Sequence, residues 1–178
     1  LGPEAQTLGK ELLSRCEIPC VIDADCLPLV KELPKETLQR AVITPHPGEL
    51  ARLLGKEVPE LEKDRIEIAL DAAQELGCAV CFKGSPTITA NQLTRQAFVN
   101  TTGNPVLAQG GTGDLLAGII GAYLAYGHFP MLAAACGAYI HGLAADLAAE
   151  MTLKMTNTSS PCSVKGLTSH RIAELVPI

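Results

Sequence analysis

The chain has 178 residues, is 47% hydrophobic and 19% charged, and carries 14 Lys and Arg against 19 Asp and Glu for a formal net charge of -5. These values describe one globular α/β-sized domain and exclude a disordered or fibrous segment. The acidic balance speaks against nucleic acid, whose phosphates need a basic face, and with no Trp, three Phe and three Tyr there is little aromatic surface for stacking on bases.

Membrane insertion and secretion find no support. Leu115 to Tyr126 is too short to span a bilayer, and Met131 to Ala149 is interrupted by His141 and Asp146. Leu1-Gly2-Pro3-Glu4 has neither the basic nor the apolar region of a secretory signal. Cysteines at 16, 20, 26, 78, 81, 136 and 162 are odd in number and lie mostly among apolar neighbours, which reads as reduced thiols in a cytoplasmic protein.

In chain order, Glu4 to Arg15 has helical periodicity, and Cys20 to Asp25 is an apolar run ending in two acids. Ala41 to His46 predicts a second strand that ends in a histidine held between Pro45 and Pro47. Pro47 to Leu54 predicts a short helix with Pro and Glu in its first turn, stopped by Gly55. Ile66, Ala69, Leu70, Ala73 and Leu76 recur at helical spacing up to Gly77, and Gly77 to Lys83 predicts a buried strand. Cys78 and Cys81 fall within that strand. Three residues apart they point to opposite faces, and no second pair stands at zinc spacing, so they are assigned to the core and not to a redox or metal site.

Strand and helix alternating in this order imply parallel pairing, with the active site at the strand C-termini. Asp23, Asp25, Thr44, His46, Lys83 and Gly84 all fall at or just beyond those ends. Alternation puts Asp23 and Asp25 on one face, where they either set up water or Mg²⁺ near phosphates or bond loop amides. Glu49 is equally explained as a first-turn acid favouring the helix dipole. Thr87 to Asn91 and Gln96 to Asn100 predict a β-hairpin.

The hairpin delivers the chain to Asn104-Pro105-Val106-Leu107-Ala108-Gln109-Gly110-Gly111-Thr112-Gly113-Asp114. Gly110, Gly111 and Gly113 leave amides free to approach an anion, and the helix that follows aims its positive end at the same spot. Asp114 stands where a carboxylate can take a proton from an attacking hydroxyl. A tight loop with a capping aspartate is the plain alternative. Apolar helices are predicted from Leu115 and from about Met131 to Glu150, with His141 and Asp146 given structural roles. Thr152 to Lys165 reads as a surface loop, and Thr168 or Ser169 as the cap of a last helix through Leu175.

Taken together, Val21 to Leu27, Ile43 to Leu54, Phe82 to Thr87 and Asn104 to Gly118 resemble the ADP/ATP-dependent NAD(P)H-hydrate dehydratases of the ribokinase-like superfamily. The segment Thr44-Pro45-His46-Pro47-Gly48-Glu49 is the most specific match, because an aspartate-ended glycine loop runs through the whole superfamily. The resemblance implies a three-layer α/β/α fold with a mostly parallel sheet over a single domain, residues 1–178. It makes Lys83, Gly84, Ser85, Pro86 and Thr87 the nucleotide-phosphate loop, with Gly111, Thr112 and Gly113 as further nucleotide contacts. His46, Asn104 and Asp114 become contacts to the hydrated nicotinamide, with Asp114 in the position of the catalytic base. Gly2 matches the last glycine of a Gly-Pro-Gly-Leu-Gly turn.

The activity so implied is nucleotide-dependent dehydration of NADHX or NADPHX in metabolite repair. ADP or ATP serves as co-substrate, Mg²⁺ bridges phosphate oxygens without a protein metal site, and an NAD(P)H-hydrate epimerase is a functional partner. Full-length members carry a further stretch before the position of Leu1, so on this resemblance the chain is N-terminally truncated and lacks several strands. The alternatives are a superfamily kinase of a pyrimidine, thiazole or sugar hydroxyl, and a nucleotide-binding fragment without turnover. The alanine-rich helical faces also suit self-association into a homo-oligomer.

Overall fold

The computed structural model describes residues 2–156 and 167–177. Helix α1 (Pro3–Ser14) leads into strand β1 (Cys20–Ile22). A 3-10 helix (Ala24–Glu32) follows, where Pro28 denies the chain one amide and with it a regular α-helical ladder. Then come α2 (Lys35–Gln39), β2 (Ala41–Ile43), α3 (Pro47–Leu54), α4 (Val58–Leu61), α5 (Arg65–Leu76) and β3 (Ala79–Phe82). The hairpin is β4 (Ile88–Ala90) and β5 (Ala97–Val99). A 3-10 turn (Pro105–Leu107) precedes α6 (Thr112–Ala125), α7 (Pro130–Thr156) and α8 (Ser169–Ala173).

The sheet runs β1-β2-β3-β4-β5, parallel across β1, β2 and β3 and antiparallel across β4 and β5. The predicted hairpin is what makes it mixed. Residues alternate between two helical layers, as a strand buried on both faces requires. Ile22, Ile43, Val80 and Phe82 join the core formed with α3 and α5, whereas Val42, Ala79 and Cys81 join the core formed with α6 and α7. Cys78 therefore lies on one face and Cys81 on the other, and burial pushes both thiols up to about 12.

Helix α3 starts and stops as its sequence predicts. His46 is its N-cap, Pro47 its first residue, and Gly55 ends it in the left-handed region at φ 64°. Three boundaries are corrected. α6 begins at Thr112 and not at Leu115, because Gly111 adopts φ 85° and lets the helix start there. α7 continues through Thr156, so Thr152 and the residues just after it are helical and not loop; the remainder of the predicted loop, with Cys162, lies outside the described residues. The 3-10 helix replaces an extended strand after Asp23, so Asp23 and Asp25 do not share a strand face.

The span Pro130–Lys154 is long and apolar enough to cross a membrane by length and composition, even with His141 and Asp146 inside it. In this fold it is a core helix. Ala133, Ala134 and Ala138 are buried against α6 and the sheet, and Ala144, Ala145 and Ala148 form a further cluster with Ile172 of α8. The small residues allow close approach: a Cβ on Gly142 would collide with Thr102, and one on Gly137 would press on Ile120.

Candidate active site

The C-terminal ends of β1, β2 and β3 bring four side chains into one polar chain. His46 lies past β2, and its Nδ1 accepts from the amides of Gly48 at 3.1 Å and Glu49 at 3.3 Å. With Nδ1 accepting, the ring proton belongs on Nε2, which stands 3.3 Å from Glu49 Oε1. Glu49 returns the cap by accepting from the His46 amide at 2.8 Å, completing a capping box. Its Oε2 lies 3.8 Å from Lys83 Nζ, and Lys83 donates to Asp23 Oδ1 at 3.1 Å. The Lys83 amide also donates to the Pro45 carbonyl, tying the two strand ends together.

Gly113, in the first turn of α6, faces this chain. A Cβ on it would lie 3.6 Å from Lys83 Nζ and 3.8 Å from Asp23 Oδ2. The unpaired amides that open α6 therefore sit beside a lysine ammonium, which is an arrangement suited to an anion.

Beyond Lys83 the loop Lys83 to Thr87 is held from beneath by Arg65. One guanidinium nitrogen reaches the carbonyls of Lys83 at 3.0 Å and Pro86 at 3.2 Å, and the group stacks 3.9 Å from the centre of the Phe82 ring. Gly84 has φ 152°, and a Cβ there would collide with that guanidinium. Thr87 Oγ1 donates to the Gly84 carbonyl at 3.1 Å and closes the loop. Ser85 is exposed, and its bond to Pro86 is cis.

The loop opens onto a cleft of about 770 Å³. Its lining contains Lys83, Gly84, Ser85, Pro86 and Thr87 on one side and Asn104, Thr112 and Gly113 on the other, with Val99, Pro105, Leu107 and Leu116 supplying apolar wall. Asn104 Oδ1 accepts from the Val106 amide at 3.0 Å while its Nδ2 donates to Asp146 at 2.9 Å. Thr112 is buried, with its hydroxyl 2.7 Å from the Leu107 carbonyl and 2.8 Å from that of Gln109. Both side chains thus shape the wall. Gly111 is outside the lining; a Cβ on it would press on Ser169 Oγ.

Asp114 is exposed and turns away from that cleft. It lines a second, apolar groove with Leu115, Gly118, Ile119, Tyr123 and Tyr126. The first turn of α6 therefore separates the two, with Gly113 on one side and Asp114 on the other. His46 lies in neither lining and connects to the cleft through Glu49 and Lys83. Gly2 is the N-cap of α1, has open space around it and lines neither cavity.

Sequence reasoning did not assign Arg65, Asp23, Glu49 or His141 to the site. Asp23 and Glu49 stood at strand ends and were weighed, but their common partner lies 60 and 34 residues further along the chain, a pairing that periodicity does not reveal. Arg65 opens α5, and nothing in its local sequence signals that it reaches the loop after β3. His141 lines the cleft, is 7% exposed, and among the described residues has no hydrogen-bond partner for Nε2. Burial pushes it down to about 4, partly opposed by a hydrogen bond with the Thr112 backbone.

That shift has a stability consequence. The folded histidine stays neutral where the unfolded chain, at about 6.5, already binds a proton, so stability is full above pH 6.5 and is lost as pH falls toward 4. The loss amounts to about 3 kcal/mol at most. Thermal melts from pH 7 to pH 4 are expected to fall more steeply for the wild type than for His141→Gln, and equal slopes would rule this cause out.

A mixed sheet between two helical layers, with a glycine-opened helix N-terminus at the strand ends, defines a ribokinase-like α/β protein. The crystal structure of a ribokinase-like superfamily protein from Enterococcus faecalis matches with a TM-score of 0.76 at 27% identity, over 99% of this chain and 58% of that one. The family model for NAD(P)H-hydrate dehydratase matches residues 2–164, and the chain belongs to that family. The crystal structure of ADP/ATP-dependent NAD(P)H-hydrate dehydratase from Bacillus subtilis matches with a TM-score of 0.71 at 31% identity, over 92% of this chain and 55% of that one.

Curated relatives agree. The bifunctional NAD(P)H-hydrate repair enzyme Nnr of Moorella thermoacetica is 44% identical over 150 residues, 83% of this chain and 28% of its own length. The ADP-dependent (S)-NAD(P)H-hydrate dehydratase of Neisseria meningitidis is 40% identical over 150 residues, 81% of this chain and 50% of its own length. The chain thus spans half or less of the curated relatives it matches.

Proposed function

We propose that this chain carries the nucleotide side of an NAD(P)H-hydrate dehydratase, restoring NADH or NADPH from the hydrated forms NADHX and NADPHX with ADP or ATP as phosphoryl donor. The observation that carries this reading is the convergence of Lys83 to Thr87 and Gly113 on one cleft, with Asp114 one residue further on the opposite side of the same helix turn. Nucleotide lies in the cleft, and the hydrated ring lies on the Asp114 side. The transferring phosphoryl group then passes the amides at the start of α6.

Asp114 takes the proton of the ring hydroxyl as that oxygen attacks the terminal phosphorus of the nucleotide. The new O–P bond forms as the bond to the leaving AMP or ADP breaks. Lys83 and the α6 amides hold the charge that builds on the phosphoryl oxygens. The ring nitrogen's electron pair then expels phosphate, and loss of a proton from the neighbouring carbon restores the dihydronicotinamide. Among the described residues no group of three or more His, Cys, Asp or Glu is placed to hold a metal, and Asp23 and Glu49 are engaged with Lys83. The described residues do not form a cage for Mg²⁺; a metal carried on nucleotide phosphates is the mode this donor set leaves open.

His46 and Gly2 complete the proposal as substrate contacts, Asn104 contacts substrate from the wall of the nucleotide cleft, and Gly111 and Thr112 are parts of the anion loop. An NAD(P)H-hydrate epimerase as functional partner, a homo-oligomer and a cytoplasmic location also belong to it. The test is the near-ultraviolet absorbance of dihydronicotinamide, followed with chemically hydrated NADH, Mg²⁺ and either ADP or ATP. A nucleotide-dependent rise is expected and identifies the donor; no rise with either nucleotide, in the chain joined to the segment its relatives carry beyond the match, would end this reading.

A further inference from the structure

Lys83 is an unusual phosphate ligand because it already has two anionic neighbours. Asp23 Oδ1 accepts from its ammonium at 3.1 Å and Glu49 Oε2 stands 3.8 Å away, with the three side chains only 21%, 15% and 15% exposed. The two acids arrive from different elements, the end of β1 and the first turn of α3. Glu49 is locked by the capping box with His46. Asp23 is followed by Ala24 at φ 51°, a left-handed conformation that a residue with a Cβ adopts only when its surroundings impose it. A Cβ on Gly113 would lie 3.6 Å from the Lys83 ammonium and 3.8 Å from Asp23 Oδ2, so the ion pair stands beside the first turn of α6.

We propose that Asp23 and Glu49 are positioning residues that pin the Lys83 ammonium beside Gly113, so that the site carries its own immobile cation for an incoming phosphate. This rests on the reading of Lys83 and Gly113 as phosphate contacts. A free lysine would have to lose its side-chain freedom when phosphate arrives; a pinned one has already done so, which favours the geometry-sensitive transfer step over ground-state binding. The cost is local charge. Two carboxylates around one ammonium oppose an anionic ligand, so loss of one acid weakens positioning while removing repulsion.

That opposition gives the inference its test. Asp23→Asn and Glu49→Gln nearly preserve shape, and each is compared with wild type by nitrogen-15 NMR of lysine ammonium groups, by ADP calorimetry and by turnover. The expected result is an ordered Lys83 ammonium signal in the wild type that broadens or vanishes in Asp23→Asn, with Lys83→Met supplying its assignment. ADP affinity is expected to hold or tighten by up to about tenfold while kcat falls about 10- to 100-fold. A Lys83 signal that stays ordered in both variants would overturn the proposal, and so would affinity and kcat falling together by similar factors. If Asp23→Asn does not fold, Glu49→Gln decides by the same readouts. If the wild type binds no ADP, the nucleotide reading fails, while the lysine signal still decides whether the two acids position Lys83.

Discussion

Replacing Asp114 with asparagine is expected to lower turnover about 10²- to 10⁴-fold while changing ADP affinity by less than about threefold. The substitution keeps the shape of the side chain and removes its capacity to take a proton. Nucleotide binding survives because Asp114 turns into the apolar groove and does not line the cleft that holds Lys83, Gly84 and Gly113. Calorimetry with ADP beside a turnover assay separates the two effects. If Asp114→Asn keeps most of its activity, the residue serves only as a first-turn acid at the N-terminus of α6, and the base lies elsewhere.

Gly84→Ala is expected to weaken ADP binding at least about tenfold and to destabilise the fold by about 1–3 kcal/mol. Two costs coincide at this residue. Its φ of 152° is one that residues with a Cβ rarely adopt, and the added Cβ would collide with the Arg65 guanidinium. Arg65 is not free to retreat, because it bonds the carbonyls of Lys83 and Pro86 and packs on the Phe82 ring. Relief therefore moves the loop, and the loop is the wall of the cleft. Calorimetry and thermal unfolding read the two effects, and an unchanged ADP affinity would remove the loop from the nucleotide site.

The segments most legible in the sequence were those whose local chemistry leaves few choices. Helix α3 was bounded correctly because Pro47 and Gly55 act through backbone geometry alone. The opposite-face placement of Cys78 and Cys81 followed from strand alternation, and the hairpin from two short runs around a polar turn. Reading failed where the backbone freedom of a single residue cut across the periodic pattern. α6 starts three residues early because Gly111 can take a left-handed turn against Ser169, and the chain beyond Asp23 curls into a 3-10 helix where local alternation suggested strand.

The candidate site divides along the same line. His46, Lys83, Gly84, Gly113 and Asp114 could be picked from the sequence because glycine, proline and a charged group at a strand end each signal an unusual backbone or an exposed charge. Sequence also determined the α/β class, through the order of its periodic segments, and the aliphatic core, through composition. Only the tertiary structure decided that Asp23 and Glu49 share Lys83, that Arg65 supports its loop, that His141 lines the cleft, and that Gly113 and Asp114 face different cavities. The physical reason is that hydrogen bonds between side chains far apart in sequence form only once the strands are in register, and no local preference in the chain encodes their partners.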